Sequence, residues 1–224
     1  MKAKKIVLMF VMMLTALSAS AQYDPGKWAI QIKFGYGASF LSNLDKLPMS
    51  TSSSDSEPIG SSTIGMDVEY QVSKLLGVSF GLGRIGGGGG WKDYTENSVK
   101  YKEPQIELEY LCIPLIANFY IYKGLALKTG VQLDYLIDAD FSQHHVTNYQ
   151  NRDLTTKHTL DLEDDCKKLE IAIPIGISYE TKGHFVWDLR FNYGVTKIND
   201  GTFLGTKDLK NNNVMLTFGY KFDL

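Results

Sequence analysis

Apolar and polar residues alternate along most of this chain with a period of two, which places successive side chains on opposite faces of a β-strand. Between Trp28 and Phe40, for example, bulky apolar residues alternate with small or polar ones. The pattern recurs eight times and predicts an all-β protein of eight strands. The predicted strands span residues 28–40, 64–72, 78–83, 105–122, 125–141, 168–180, 185–195 and 214–224.

The connections between these segments alternate in length. Short turns are predicted near residues 73–77, 123–124 and 181–184, and long polar loops near 41–61, 86–104, 142–167 and 196–212. Short turns at one end and long loops at the other are typical of up-and-down antiparallel barrels that cross bacterial outer membranes. The glycine run 86–90 falls in a long connection, where we expect a flexible outer loop. A phosphate-binding loop would need a following Gly-Lys-Ser/Thr and a helix.

The composition of the two faces indicates which of them meets lipid. A lipocalin-like soluble barrel would hold its apolar face, and an apolar ligand, inside. Here the polar face is rich in glycine, which suits the crowded interior of an eight-stranded barrel. The apolar face is bulky and almost free of charge, as a lipid-facing surface must be, because a Lys or Arg there costs roughly 2–4 kcal/mol at the bilayer midplane. We therefore expect the apolar face to point outward into lipid.

The charged residues of the polar face are expected to pair across the lumen, since opposite charges satisfy each other in a narrow interior of low dielectric. A conducting pore or a proton path is the alternative use of such residues. The predicted network comprises Lys33, Asp67, Glu69, Glu107, Glu109, Lys128, Asp134, Glu170, Asp188, Arg190 and Lys221.

The fourth segment loses its clear phase after Cys112 and contains a proline at position 114. A proline in a strand cannot donate to the ladder. A β-bulge near residues 111–114 would account for both features.

The beginning of the chain resembles a secretory signal peptide. Three lysines precede an apolar run of about 12 residues, too short for the roughly 20 of a membrane-spanning helix. Ala19 and Ala21 form a small-x-small cleavage site before Gln22. We expect a cleaved signal peptide at residues 1–21 and one outer-membrane β-barrel domain at residues 22–224.

Net charge and cysteine content bear on nucleic-acid binding and on disulfide formation. Removal of the leader takes the 23 basic residues to 20 against 25 acidic ones, a net charge of −5, which argues against nucleic-acid binding. The two cysteines, Cys112 and Cys166, fall on strands that we place two apart, which disfavours a disulfide, although an oxidising compartment would permit one and the sequence does not decide between the two.

Candidate sites for catalysis or metal binding are weak. His144 and His145 are adjacent and should point to opposite faces of a strand, and no third ligand follows at metal-binding spacing with His158. The acidic stretch 161–165 is expected to be a solvated loop. We expect no cofactor, no metal and no enzymatic activity.

Two resemblances concern assembly and family. Thr217, Gly219, Phe222 and Leu224 resemble the C-terminal β-signal of outer-membrane proteins, which implies insertion by Bam-type assembly machinery. The opening Ile32-Lys-Phe-Gly-Tyr-Gly-Ala-Ser-Phe40 and the stretches 110–115 and 123–130 make the chain similar to the PorT-type outer membrane protein β-barrel domain family of Bacteroidetes. That family implies an outer-membrane barrel in lipid but no single activity.

The leading functional hypothesis is therefore a structural or surface-interaction role in the outer membrane. The second is a PorT-like component of a type IX secretion or envelope assembly system, with envelope or secretion proteins as partners. A narrow pore and a soluble periplasmic carrier are further alternatives.

Overall fold

The computed structural model describes residues 24–44, 55–96, 99–149, 152–200 and 208–224; the predicted leader, with Ala19, Ala21 and Gln22, lies outside them. These ranges contain eleven β-strands and one 3-10 helix, Glu163–Asp165. No helix within them is long and apolar enough to cross a membrane. The strands are β1 (Trp28–Ser42), β2 (Ser56–Glu57), β3 (Ile59–Ser73), β4 (Leu76–Trp91), β5 (Tyr94–Glu96), β6 (Val99–Tyr122), β7 (Leu125–Tyr149), β8 (Arg152–Asp161), β9 (Leu169–Glu180), β10 (Phe185–Gly194) and β11 (Lys210–Asp223).

Eight of these strands close into a barrel in which every neighbouring pair is antiparallel. Their order around the ring is β1, β3, β4, β6, β7, β9, β10 and β11, and the pairing of β11 with β1 completes the circle. Each strand of the ring pairs with the next one along the chain. The predicted eight-stranded up-and-down barrel is therefore confirmed, with β2, β5 and β8 as additional strands outside the ring.

The two faces of the ring strands reverse the arrangement of a soluble protein, whose large apolar side chains are mostly inside. On β1, Gln31 and Lys33 are buried in the interior, whereas Ile32 and Phe34 are 53% and 59% exposed on the outer surface. The same contrast holds for β10, where Asp188 is fully buried and its neighbour Trp187 is exposed. An apolar exterior around a closed ladder is what a barrel in a bilayer requires.

The short turns lie at one end of the barrel. Lys123 and Gly124 form the two-residue link between β6 and β7, and both have positive φ. Gly124 also accepts a hydrogen bond from the Glu180 amide, at 2.8 Å, which brings the neighbouring turn against it. A Cβ at Gly124 would collide with the Glu180 carbonyl oxygen, so only glycine fits this close approach.

Two of the three prolines within the described strands, Pro114 and Pro174, lie at one-sided interruptions of the ladder. The β4–β6 ladder has no pairs between Leu115 and Cys112, where Pro114 lies. The β7–β9 ladder has none between Thr129 and Gln132, the stretch opposite Pro174. The missing proline N–H is therefore accommodated by a local gap on one side of each strand, and neither proline requires a bulge.

The ladder between β6 and β7 does contain a bulge, but it lies on β7 and not at the predicted residues 111–114 of β6. Glu109 pairs with Asp138 but Tyr110 pairs with Leu136, so the extra residue is Ile137 on β7. Beyond this bulge the two faces of β7 exchange: Asp138 points outward, and Ala139 is fully buried. The prediction of a bulge at residues 111–114 is wrong, because the loss of phase on β6 has a different cause.

That cause is a change in the content of the barrel interior. Between residues 104 and 120 the even-numbered residues of β6 point inward, including Leu108 and Tyr110, which the sequence pattern had assigned to the lipid-facing side. At the end away from the short turns, they join an apolar cluster that fills the barrel. The cluster comprises Leu41, Leu44, Ile85, Trp91, Ile106, Leu108, Tyr110, Cys112, Leu136, Ala139, Phe141, Leu162, Cys166, Ile198, Leu209 and Met215.

The glycine run, residues 86–90, belongs to this filled end and is not a loop. It continues β4 and pairs with β6 from Glu109 to Gln105. A Cβ at Gly89 would lie 2.9 Å from the Leu41 amide nitrogen, and Gly88 has a φ of +113°. The absence of side chains thus lets this strand pack against β1 across the barrel mouth, which corrects the flexible-loop prediction.

Candidate functional site

Buried ion pairs cross the middle of the lumen. Lys33 on β1 pairs with Asp67 on the adjacent β3. Asp188 on β10 accepts hydrogen bonds at its Oδ2 from Lys128 Nζ, at 2.6 Å, and from Arg190, at 2.9 Å. All five side chains are at most 8% exposed. The first group links β1 to β3 and the second links β7 to β10, so three cations and two carboxylates share this part of the interior.

A second charged cluster lies toward the short turns. Lys221 Nζ is 3.1 Å from a carboxylate oxygen of Glu69 and 3.1 Å from one of Glu180. Tyr120 donates its hydroxyl proton to Glu69 and lies 3.0 Å from the Lys221 ammonium. Tyr120 and Glu180 were not in the predicted network. Glu180 carried the polar-face pattern, but Tyr120 gave no signal because an inward tyrosine looks like any apolar residue of β6.

The remaining inward carboxylates lie between the ionic and apolar parts of the interior. Asp134 accepts hydrogen bonds of 2.9 and 3.1 Å from Gln132, two positions earlier on β7. Its register partner on β9 is Glu170, which is 1% exposed. The structure thus places nine of the eleven predicted network residues inside the barrel.

Glu107 and Glu109 are the two exceptions, and their assignment to the lumen is wrong. Both point outward because the inward positions of this part of β6 belong to the apolar cluster. Glu109 forms an ion pair with Arg84 on the outer surface, a partner that the sequence pattern had not indicated. Across the β6–β7 ladder, Glu107 faces Asp140 and Glu109 faces Asp138, so carboxylates lie opposite one another on this surface.

A polar latch closes the apolar end of the lumen. The Gly88 amide donates to Asn211 Oδ1 at 3.1 Å, and Ser39 Oγ lies 2.9 Å from the same oxygen. Ser39 is fully buried, and its hydroxyl is also 3.0 Å from the Gly88 carbonyl oxygen. β1, β4 and β11 are thereby joined across the interior. Sequence reasoning missed this contact, because it depends on the glycine run being a strand.

Little free volume remains between these groups. A cavity bordered by Lys33, Asp67, Cys112 and Arg190 has a volume of about 20 Å³, and one beside Glu69 and Lys221 has about 30 Å³. Each has room for about one or two water molecules. The space among the buried ion pairs is therefore packed. A larger cavity, of about 280 Å³, is bordered by Ser61 and Gly86 and by the outward carboxylates Glu107, Glu109 and Asp138.

Beyond the ring, β5, β6, β7 and β8 form a protruding sheet. β7 pairs with β9 as far as Tyr135, then with β8 from Asp140 to Tyr149. On one face of this sheet, four rings follow one another: Tyr94 stacks on Tyr101 at 4.6 Å, Tyr101 meets His145 edge-on at 4.6 Å, and His145 stacks on His158 at 4.0 Å.

His144 lies on the opposite face of this sheet from His145. Its Nδ1 is 3.7 Å from a carboxylate oxygen of Glu103, while His145 contacts the rings of Tyr101 and His158. Within the described ranges, no group of three or more His, Cys, Asp or Glu side chains is arranged to hold a metal ion.

Both cysteines are free and buried. Burial raises the pKa of the Cys166 thiol, which lies in the connection before β9, to about 12. A thiol in this state is unreactive at neutral pH.

The residues of the predicted assembly signal lie on or just after β11, next to β1. Thr217 points into the barrel and is buried, whereas Phe222 and Leu224 are exposed, 47% and 67%, on the outer side.

Three solved structures illustrate the similarity to known proteins. Ail of Yersinia pestis, in complex with the heparin analogue sucrose octasulfate, is 14% identical, with 89% of this chain and 100% of that chain covered at a TM-score of 0.45. Neisserial surface protein A is 12% identical, with 87% of this chain and 97% of that chain covered at a TM-score of 0.43. OprG of Pseudomonas aeruginosa is 14% identical, with 91% of this chain and 99% of that chain covered at a TM-score of 0.42. No curated protein sequence matches the chain.

A family model described as "Outer membrane protein beta-barrel domain" matches residues 20–200, most of the chain. Together with the apolar exterior of the ring, this match places the barrel in the lipid bilayer of the bacterial outer membrane. The hypothesis of a soluble periplasmic carrier is therefore wrong. By its sequence and by its closed eight-stranded ring, this chain belongs to the outer membrane protein β-barrel domain family.

Proposed function

We propose that this protein is a non-catalytic outer-membrane barrel that binds a polypeptide partner at the cell surface through its protruding sheet. The observation that carries this proposal is the outer edge of β8. In the described part of the chain, β8 pairs with β7 alone. An unpaired edge presents a row of N–H and C=O groups that can add a strand from another chain.

The dimensions of the sheet support this role. The stretch of β7 that pairs with β8 spans residues 140–149, and ten residues of strand extend roughly 34 Å. Long strands on the side opposite the short turns face the exterior in outer-membrane barrels. The free edge of β8 therefore lies where an extended segment of another protein could reach it.

Photo-crosslinking on intact cells tests this function. A photoreactive amino acid at Thr155, which is exposed on β8, should form crosslinks to a polypeptide. The same amino acid at Leu189, on the lipid-facing side of β10, is the matched control and should form none. The proposal fails if Thr155 gives no polypeptide crosslink, or if Leu189 gives the same one.

A PorT-like role in type IX secretion or envelope assembly is the second candidate, supported by the family resemblance of residues 32–40, 110–115 and 123–130. Deletion of the gene, followed by an assay of secreted cargo, distinguishes the two. Secretion should be unaffected if the surface role is correct. Lost secretion that is restored by a variant with residues 144–157 replaced by an Asn-Gly turn would favour the secretion role, because that variant lacks the outer part of the β7–β8 hairpin.

A further proposal concerns assembly. The pattern of Thr217, Gly219, Phe222 and Leu224 supports recognition of β11 by Bam-type machinery. The outward position of Phe222 and Leu224 leaves their side chains accessible to such a partner before the barrel enters lipid.

A further inference from the structure

The two stacked histidines of the β7–β8 hairpin have an unusual arrangement for titratable groups. His158 is the register partner of Gln143, two positions before His145, so the two imidazoles are diagonal neighbours on one face. Their ring centroids are 4.0 Å apart and their planes are inclined by 29°. Such a stack is favourable for neutral rings, but two imidazolium ions at this distance repel each other.

The groups around the stack are neutral. On the same face, β5 contributes Tyr94, β6 contributes Tyr101 and β7 contributes Gln143, which lies 3.4 Å from the Tyr94 hydroxyl. Among the described residues, neither His145 nor His158 has a carboxylate within 4 Å that would stabilise a positive charge.

The nearby charged groups belong to the other face of the sheet. Lys157 on β8 is the register partner of His144, and Lys102 on β6 also pairs with His144. His144 itself has Glu103 as a partner at 3.7 Å. Lys102, Lys157 and the Glu103–His144 pair therefore belong to the face opposite the stack.

Protonation of the stacked imidazoles therefore destabilises the stack. Burial and, to a smaller extent, neighbouring His158 hold the pKa of His145 below its ordinary value of 6.5. Its Nε2 is shielded from solvent and has no hydrogen-bond partner among the described residues. A histidine whose folded-state pKa is lowered adds stability above its unfolded pKa, and this stability is lost as the pH falls below about 6.5.

We propose that the His145–His158 stack makes the outer part of the β7–β8 hairpin a proton-sensitive segment, paired at neutral pH and opened in acid. The barrel ring is unaffected, since its pairs to β9 lie before the hairpin. The proposal goes beyond the surface function and holds whether or not the hairpin binds a partner.

Hydrogen exchange of the full chain in lipid nanodiscs, corrected for intrinsic exchange rates, tests the proposal. Protection of peptides covering residues 140–161 should fall at least tenfold between pH 7.5 and pH 5, while β9 and β10 remain protected. His158→Gln should abolish the difference, and His144→Gln, the matched control on the other face, should retain it. Equal protection of the wild-type hairpin at both values, or an unchanged loss in His158→Gln, would overturn the proposal.

Histidine NMR of the wild-type protein covers the case in which the His158→Gln hairpin is unprotected at both values. The His145 signal, assigned by comparison with a His145→Gln variant, should then titrate below its ordinary value of 6.5. Independent titration of all histidines at or above that value would contradict the proposal.

Discussion

Asp188 is the residue on which the middle of the lumen depends most. It is fully buried, and one of its oxygens accepts hydrogen bonds from both Lys128 and Arg190. Loss of one partner from a buried ionic group leaves the others with an uncompensated charge, which is more costly than the loss of an exposed pair. The three lumen cations of this region therefore need both of their carboxylates, Asp67 and Asp188.

Asp188→Asn tests this dependence. The substitution should reduce the free energy of unfolding by about 3 kcal/mol, because Lys128 and Arg190 keep their charges while their shared anion is lost. Urea-induced unfolding in lipid vesicles, followed by tryptophan fluorescence, would measure the change. Glu109→Gln removes the exposed partner of Arg84 and should leave the stability unchanged within error. Wild-type stability in Asp188→Asn would show that the network is not needed.

Among the strands, β6 and β7 show most clearly how one pattern serves two environments. β6 alternates regularly between residues 104 and 120, but its inward positions change from the polar Asn118 to the apolar Leu108 and Ile106. β7 reaches the same result by the bulge at Ile137, which turns Ala139 and Phe141 inward. Both strands thereby line the apolar cluster at the end of the barrel away from the short turns.

Thiol labelling tests this orientation of β6. In Glu107→Cys, a membrane-impermeant maleimide should label intact cells rapidly, because position 107 is exposed on the outer surface. Leu108→Cys should resist the reagent, since Leu108 is 3% exposed. The wild-type protein is the background control, as Cys112 and Cys166 are buried. Preferential labelling at position 108 would reverse the assignment and restore Glu107 to the lumen.

In the whole molecule, two layers of side chains fill the lumen. Ion pairs occupy its middle, and the apolar cluster and the Ser39–Asn211 hydrogen bond occupy the end away from the short turns. A cavity of about 20 Å³ lies beside the middle ion pairs, and one of about 30 Å³ lies toward the short turns beside Glu69 and Lys221. An eight-stranded barrel is only wide enough for its own side chains, so this filling uses the available space. The lumen is therefore filled, and the binding surface that we propose is the protruding sheet.

Planar-bilayer recording provides the corresponding prediction. Refolded protein should produce no steady single-channel current, because ions have no continuous aqueous path through the packed interior. A heat-modifiable band in unboiled gels would verify that the protein in the recording is folded. Discrete, reproducible conductance steps from such protein would support the narrow-pore hypothesis instead.

The sequence by itself determined the number and order of the ring strands and the outward face of segments such as 28–40 and 185–195, because a half-buried strand has a period of two and its interior was polar. It did not determine the orientation of Glu107, Glu109 and Leu108. Apolar and polar residues alternate in the same way whether the apolar side meets lipid or the apolar cluster inside the barrel. Only the tertiary structure decided that, together with the strand formed by residues 86–90 and the stack of His145 on His158, since these depend on neighbours distant in the chain.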